Sequence, residues 1–200
     1  VKILFDVSPA KIAEYTERYG YEFWQLRTPL TGYARAPGVP WALDNGCFSE
    51  FKREKWLRMV AETEEDRPIF VTLPDIVGDA IRTLELFEQF SRYVEAPLRA
   101  LVLQDGIGSQ RIPWDELGSV FVGGSDGFKY SAEAVAAAKT AKMLGKWVHV
   151  GRVNTASRVR NWAEWADSID GSGLCRFDHM LEDTLAAIKG THPQQQLRIA

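Results

Sequence analysis

Eight short apolar runs recur along this chain of 200 residues, each followed by a segment of helical spacing or by a loop. They lie at 2–7, 23–26, 41–43, 68–73, 98–103, 119–122, 146–150 and 168–169. Runs this short, alternating with amphipathic segments, mark the strands of a parallel α/β protein, in which a helix carries the chain back to start the next strand. Eight is the number that closes a barrel, so the predicted fold is a compact (β/α)8 TIM-type barrel. An open doubly wound sheet alternates strands and helices in the same way. It is set aside because the first connection, Asp6-Val7-Ser8-Pro9, has no glycine-rich phosphate loop, and because polar strand ends recur along nearly the whole chain.

The spacing predicts helices over 9–19, 50–62, 79–94, 131–145, 156–165 and 181–188. Ser8 and Ser131 are suited to cap two of them, with Pro9 at the first helical position of the former. The connection 28–40 holds three prolines and two glycines and reads as a loop. Segment 107–117 is expected to be one irregular turn. Such abbreviated connections are what a barrel needs when its chain is shorter than the usual length of about 250 residues. One barrel domain is expected over 1–190, followed by a tail over 191–200 that has no periodic pattern.

Hydrophobic residues make up 46% and charged residues 26% of the chain, which fits an ordinary globular protein. No apolar run approaches the ~20 residues that span a bilayer, and the first run is interrupted by Asp6 too soon for a signal peptide. A cytoplasmic protein without a membrane partner is expected. A net charge of −3, from 24 Lys and Arg against 27 Asp and Glu, lacks the positive excess of a non-specific nucleic-acid binder. Arg27 with Arg35, Lys52-Arg53 with Lys55 and Arg58, and Arg152 with Arg158 and Arg160 are read as solvated helix faces, with phosphate contact as the alternative. Cys47 and Cys175 are the only cysteines, too few for a disulfide framework or a cysteine metal cluster. No metal and no cofactor are implied.

In a parallel barrel the carboxyl ends of all strands share one face, so residues distant in sequence meet there. Asp44 ends WALDNG, and Phe48 just beyond it offers a ring for stacking. Asp75 follows Leu73-Pro74, where proline keeps the strand end extended. Gln104 offers both a donor and an acceptor, suited to reading the edge of a base. Gly123 and Gly124 let backbone approach a ligand and present N–H groups. Asp170 stands among small residues in Ser168-Ile169-Asp170-Gly171-Ser172-Gly173, as suits a nucleophile. Each alone also fits a turn or a cap. Together they fit recognition of a polar heterocycle with one carboxylate left to attack a sugar carbon. His149 faces opposite to Val150 on its strand; a structural role is the main reading and a functional one the alternative.

The order Asp44-Asn45-Gly46-Cys47-Phe48, Leu73-Pro74-Asp75, Leu103-Gln104-Asp105-Gly106, Val122-Gly123-Gly124, Val150-Gly151-Arg152-Val153 and Asp167-Ser168-Ile169-Asp170 resembles the tRNA-guanine transglycosylase superfamily. Residues 44–49 are similar to its Asp-Ser-Gly-Gly-Phe-Gln motif, with Asn45, Cys47 and Ser49 as departures. The resemblance implies a (β/α)8 barrel that exchanges guanine for a 7-deazaguanine. It makes Asp170 the nucleophile at C1′, Asp44 the general acid/base, Asp75 the partner of N1 and N2, and Gln104 with Gly124 the donors to O6. Gly123 and Gly124 match the family's glycine pair, and Phe48 and Val150 would hold the base between them. Backbone N–H groups at Gly171 or Ser172 are the expected support for an ionised Asp170.

The tRNA enzymes of that family carry a zinc site of three Cys and one His after the nucleophile, where this chain has only Cys175, His179 and His192. Zinc is therefore predicted absent. The short form resembles the DNA-modifying relatives of phages and bacterial genomic islands, which implies a preQ0-like 7-deazaguanine as the incoming base, DNA over tRNA as acceptor, a host cytoplasm, and a homodimer or partner protein as possible assemblies. Two other readings fit the same pocket. One is a non-catalytic barrel that binds a deazaguanine or nucleotide. The other is an unrelated phosphosugar enzyme with a phosphate near Gly151 or Gly171-Ser172-Gly173, for which no strand-end lysine is visible.

Overall fold

The structure, a computed structural model, describes residues 1–191, with side chains through 190. Eight parallel strands close a barrel in chain order: β1 (Lys2–Phe5), β2 (Trp24–Arg27), β3 (Trp41–Leu43), β4 (Val71–Thr72), β5 (Arg99–Leu103), β6 (Ser119–Val122), β7 (Trp147–Val150) and β8 (Ser168–Asp170). The ring closes where β1 pairs with β8, setting Leu4 opposite Asp170. The predicted barrel is therefore present. Strand β4 is shorter than the apolar run that announced it, although Ile69 N–H and Leu73 N–H on either side still donate to Trp41 O and Ala100 O of the neighbouring strands.

Six α-helices surround the barrel among the described residues: α1 (Pro9–Tyr19), α2 (Arg53–Ala61), α3 (Ala80–Ser91), α4 (Ala132–Met143), α5 (Ala156–Trp162) and α6 (Asp178–Thr191). Ser8 and Ser131 cap α1 and α4 as expected, accepting from Lys11 N–H and Ala134 N–H. Asp79 and Thr155 cap α3 and α5 in the same way. Helix α6 starts before and ends beyond its predicted bounds, so Thr191 belongs to it, and the rest of the expected tail, 192–200, lies outside the described residues. No helix among the described residues is long and apolar enough to cross a membrane.

Two connections lack a helix. Between β5 and β6 run two 3-10 turns, Ile107–Ser109 and Trp114–Glu116, rather than the single turn expected. Between β2 and β3 the chain crosses the outside of the barrel as a loop, and Gln25 explains how. Its side chain points outward and is fully buried; Nε2 donates to Ala34 O at 2.8 Å, and Oε1 accepts from Ala36 N–H at 2.8 Å. A buried amide on that face would cost about 1–3 kcal/mol if unpaired. The loop supplies the partners that an apolar helix face could not.

Side chains alternate in and out along every strand. Leu4, Leu26, Ala42, Phe70 and Ala100 fill the barrel, and Trp24 stacks on Trp147 at 5.9 Å where the strands begin. The other parity, including Ile3, Leu43, Leu103, Val122, Val150 and Ile169, packs beneath the helices. An apolar base and an apolar jacket thus leave the C-terminal mouth as the place where polar side chains converge.

Candidate active site

The mouth holds a cavity of about 430 Å³, the size of a small-molecule site. Asp44, Phe48, Asp75, Gln104, Gly123, Gly124 and Asp170 all line it. Val150 does not. It is fully buried among the outward-facing residues beneath the helices, because on β7 the inward parity belongs to Trp147 and His149. The residue of that segment that reaches the cavity is Gly151.

Asp170 ends β8 with both oxygens engaged. Oδ2 lies 2.8 Å from His149 Nε2, and Oδ1 accepts the Arg152 N–H at 3.1 Å. Behind the imidazole, Nδ1 lies 2.8 Å from Ser168 Oγ, which accepts the Trp147 Nε1–H at 2.9 Å. Indole is a donor only, so the serine is free to direct its own hydrogen at Nδ1, and Nε2 carries the proton that faces Asp170. Burial alone would push Asp170 up, but the His149 hydrogen bond, the Arg152 N–H and the Lys129 charge outweigh it and hold the carboxyl below its usual range. The expected support from Gly171 or Ser172 is not what the structure shows. It comes from His149 on β7, from the Arg152 N–H in the turn after it and from Lys129 after β6.

Asp44 is in a different condition. Its support is weak: a long contact from Gly46 N–H at 3.3 Å, with the Asn45 N–H also turned toward it. Burial, then the charges of Asp170 and Asp75, push it up to about 7. Asp75 sits between two amides: Asn45 Nδ2 donates to Oδ1 at 2.7 Å and Gln104 Nε2 to Oδ2 at 2.6 Å. Burial raises Asp75, and the donors from Asn45, Gln104 and Cys47 partly offset this. Gln104 Oε1 in turn accepts the Gly78 N–H at 2.8 Å, which fixes which end of the amide faces Asp75. Each Asp75 oxygen receives one amide N–H and keeps lone-pair capacity for a ligand.

The glycine pair shapes the wall beside them. A Cβ at Gly123 would sit 2.6 Å from Val102 and 3.0 Å from Gln104 Nε2. Gly124, at φ +72°, would set a Cβ 2.5 Å from Phe128. Among the described residues the Gly124 N–H has no partner. Phe48 stands at the rim, 62% exposed, with the Arg152 guanidinium 4.2 Å from its ring centre.

Three site residues are missed or ranked low by sequence reasoning. His149 is only a lesser candidate while Val150 is taken to face the base; with Gly151 lining the cavity, strand parity places His149 inward. Arg152 stands in a basic cluster and in the Val150–Val153 stretch of the resemblance, with no role of its own in either; it is the one non-glycine residue at positive φ among the described residues, at 58°, a conformation that aims its N–H at Asp170. Lys129 gave no signal, because it lies on the 3-10 turn Phe128–Tyr130 and not at a strand end. Arg27 departs from the expected solvated helix face: it ends β2, is buried against Trp41 and pairs with Glu62 at 2.6 Å, while Arg35 pairs with Asp66 at 2.5 Å, both away from the mouth. Among the described residues no group of three or more His, Cys, Asp or Glu is placed to hold a metal ion, and His192 lies outside them.

Fold and site together define a (β/α)8 barrel with a carboxylate-rich mouth. No protein-family model matches the chain, and no curated protein does. Solved structures do. One is a protein of Aquifex aeolicus VF5, 13% identical, with a TM-score of 0.53 over 94% of this chain and 90% of that one. Another is a "putative phosphonomutase" of Burkholderia cenocepacia J2315, 12% identical, with a TM-score of 0.37 over 94% of this chain and 93% of that one. The first likeness is one of fold.

Proposed function

We propose that the barrel is a base-exchange glycosyltransferase that replaces guanine with a 7-deazaguanine, preQ0-like base in a polynucleotide, with DNA as the acceptor. The observation that carries this reading is the divergence of carboxylates in one cavity. Asp170 is held ionised, as a nucleophile must be, while Asp44 is pushed up to about 7, as suits a group that gives and takes a proton at neutral pH. Asp75 and Gln104 add a fixed donor–acceptor edge, and the unpartnered Gly124 N–H adds a donor.

In the first step an Asp170 oxygen attacks C1′ of a flipped-out guanosine nucleotide. The C1′–N9 bond breaks, its electron pair goes to the base, and Asp44 protonates the leaving guanine. In the second step N9 of the deazaguanine loses its proton to Asp44 and attacks C1′, and the bond from C1′ to Asp170 breaks. Two inversions give net retention. Asp75 accepts from N1–H and N2–H, and Gln104 and Gly124 donate to O6. Phe48 covers one face of the base. The apolar residues left for the other face are Leu26, Val77, Val102 and Phe121, in place of Val150.

A polynucleotide acceptor fits the rim. Tyr33, Phe48 and Phe177 stand on C-terminal loops with 40–62% exposure, and exposed Arg176 lines the cavity beside them. Aromatic platforms with scattered cations suit stacked bases and phosphates without an overall basic charge. Incubation with guanine-containing DNA or RNA and an isotope-labelled 7-deazaguanine, followed by nucleoside mass spectrometry, tests the reading. Label in deoxynucleoside supports it as stated; label only in ribonucleoside moves the acceptor to RNA; no label in either rejects base exchange.

Lys129 favours one second reading, a carbonyl-directed barrel enzyme, because a buried amine in the mouth can form an imine. The glycines that would bind its substrate's phosphate speak against it. The Gly173 N–H is taken by Asn154 Oδ1 at 2.9 Å, and the Gly151 N–H by Val122 O at 3.2 Å. Trapping with borohydride and a phosphosugar would yield a stable adduct on Lys129 only under this second reading.

A further inference from the structure

Lys129 is the buried cation in the mouth whose charge supports Asp170 and whose remaining donors base exchange leaves without a task. Its position is built. Ser125 binds Asp105 through Oγ at 2.6 Å and through N–H at 2.9 Å, and its Oγ accepts the Phe128 N–H at 3.1 Å. This knot, with the missing side chain at Gly124, lets the turn Phe128–Tyr130 fold down on the end of β6. Lys129 then reaches inward and is only 4% exposed, and its Nζ donates to Gly151 O at 2.7 Å. Among the described residues no carboxylate oxygen lies within 4.0 Å of that nitrogen. An ammonium has three donors, so one is used and the others are available to whatever fills the cavity that Lys129 lines. Arg152 lines the same cavity.

The order of groups around the mouth says which part of the ligand meets Lys129. Going round the ring, Asp75 follows β4, Gln104 follows β5, Gly124 and Lys129 follow β6, Gly151 follows β7 and Asp170 ends β8. Going round a 7-deazaguanine in the same sense, N1 and N2 are followed by O6, then C7, then N9. With N1 and N2 on Asp75, O6 on Gln104 and Gly124, and C1′ on Asp170, the C7 edge falls between Gly124 and Asp170. That is the arc held by Lys129, Gly151 and Arg152.

We propose that Lys129 and Arg152 form a subsite for the substituent at C7, and that it selects a hydrogen-bond acceptor there (nitrile, carboxamide or carboxylate) over a cationic aminomethyl group. A second ammonium would meet the buried Lys129 ammonium and the Arg152 guanidinium, which is repulsion built against the wrong substrate. An acceptor would instead complete the donors of Lys129. The inference rests on the base-exchange reading above.

The test is a competition. Wild-type protein is given guanine-containing DNA with labelled guanine, 7-cyano-7-deazaguanine, 7-carboxamido-7-deazaguanine or 7-aminomethyl-7-deazaguanine, and kcat/KM is measured for each. The expected result is a preference of about tenfold or more for the cyano and carboxamido bases over the aminomethyl base. In Lys129→Met and Lys129→Gln the ratio of cyano to aminomethyl should fall toward one; a ratio taken within each variant cancels any uniform loss from altered packing. If the wild-type protein exchanges guanine but uses the aminomethyl base as well as the cyano base, the subsite is refuted and base exchange stands. If no base is exchanged, guanine included, the base-exchange reading fails and this inference with it.

Discussion

His149 Nε2 lies 2.8 Å from Asp170 Oδ2, and no part of the imidazole is open to solvent. The ring is packed between Phe121 and Phe70, with centres at 4.6 Å and 5.2 Å, and is tied below to Ser168. Asp170 is therefore held by a donor that cannot turn away. A hydrogen bond to a charged group contributes about 1.5–3 kcal/mol.

His149→Ala should lower base exchange by about 10- to 100-fold, the rate equivalent of that bond. The pH profile separates a positioning role from a packing one. Asp170 is held below its usual range and is ready to attack wherever it is ionised, so losing the His149 donor raises its pKa and moves the acid limb of kcat/KM to higher pH. His149→Asn, which keeps a donor on the side chain, should recover part of the shift. A profile that keeps its acid limb in the alanine variant would remove His149 from the mechanism.

Asp44 predicts a conflict between stability and activity. In the unfolded chain it titrates near 4, whereas in the fold it is pushed up to about 7. Between these values the native state keeps a proton that the unfolded chain has lost, so stability falls as pH rises through that window and levels off above it. Asp44→Asn removes the cost of the charged form. The variant should match wild type in Tm at pH 4 and exceed it at pH 8, by a shift equivalent to about 1–3 kcal/mol of unfolding free energy, while losing at least about 100-fold in exchange. An equal Tm difference at both values of pH would contradict the environment assigned to Asp44.

Arg152 joins backbone strain to the site. A left-handed arginine costs on the order of 1 kcal/mol that glycine does not, and its backbone N–H is the part that Asp170 uses. Arg152→Gly should leave Tm unchanged or raised and keep the Asp170 contact. It removes the guanidinium from Phe48, so KM for the polynucleotide should rise more than kcat falls. Thermal denaturation with steady-state kinetics checks both halves; a large loss of kcat at unchanged KM would oppose this division of roles.

Gly124→Ala tests the wall of the pocket. The new Cβ would lie 2.5 Å from Phe128 and 2.9 Å from Asp105 Oδ2, at a φ of +72° that alanine disfavours. Destabilisation of about 1–3 kcal/mol is expected, with the turn that carries Lys129 displaced. Urea melts of the two proteins measure it; equal midpoints would mean that the turn gives way freely.

Much of this architecture was legible in the chain because local signals and tertiary packing agree. Strand alternation, the Ser8-Pro9 and Ser131 helix starts and the proline-rich stretch 28–40 act within a few residues, and the elements appear where those signals lie. Residues at strand ends converge by topology alone, which is why Asp44, Asp75, Gln104 and Asp170 meet. What was not legible depends on facing direction and on turns. Val150 was aligned by motif and points the wrong way, since one step along a strand exchanges core for pocket. Lys129 enters through a 3-10 turn whose geometry is set by Asp105, 24 positions away in sequence, and no local pattern encodes that.

The central claim is that Asp170 becomes covalently bound to C1′. Denaturing electrophoresis and intact-mass analysis of the protein, quenched after mixing with a guanine-containing oligodeoxynucleotide in the absence of incoming base, measure this directly. The account predicts a protein–DNA adduct with guanine released, carried on Asp170, absent from Asp170→Asn and resolved by adding 7-deazaguanine. An adduct of equal yield in Asp170→Asn, or exchange of labelled base by that variant at the wild-type rate, would contradict it.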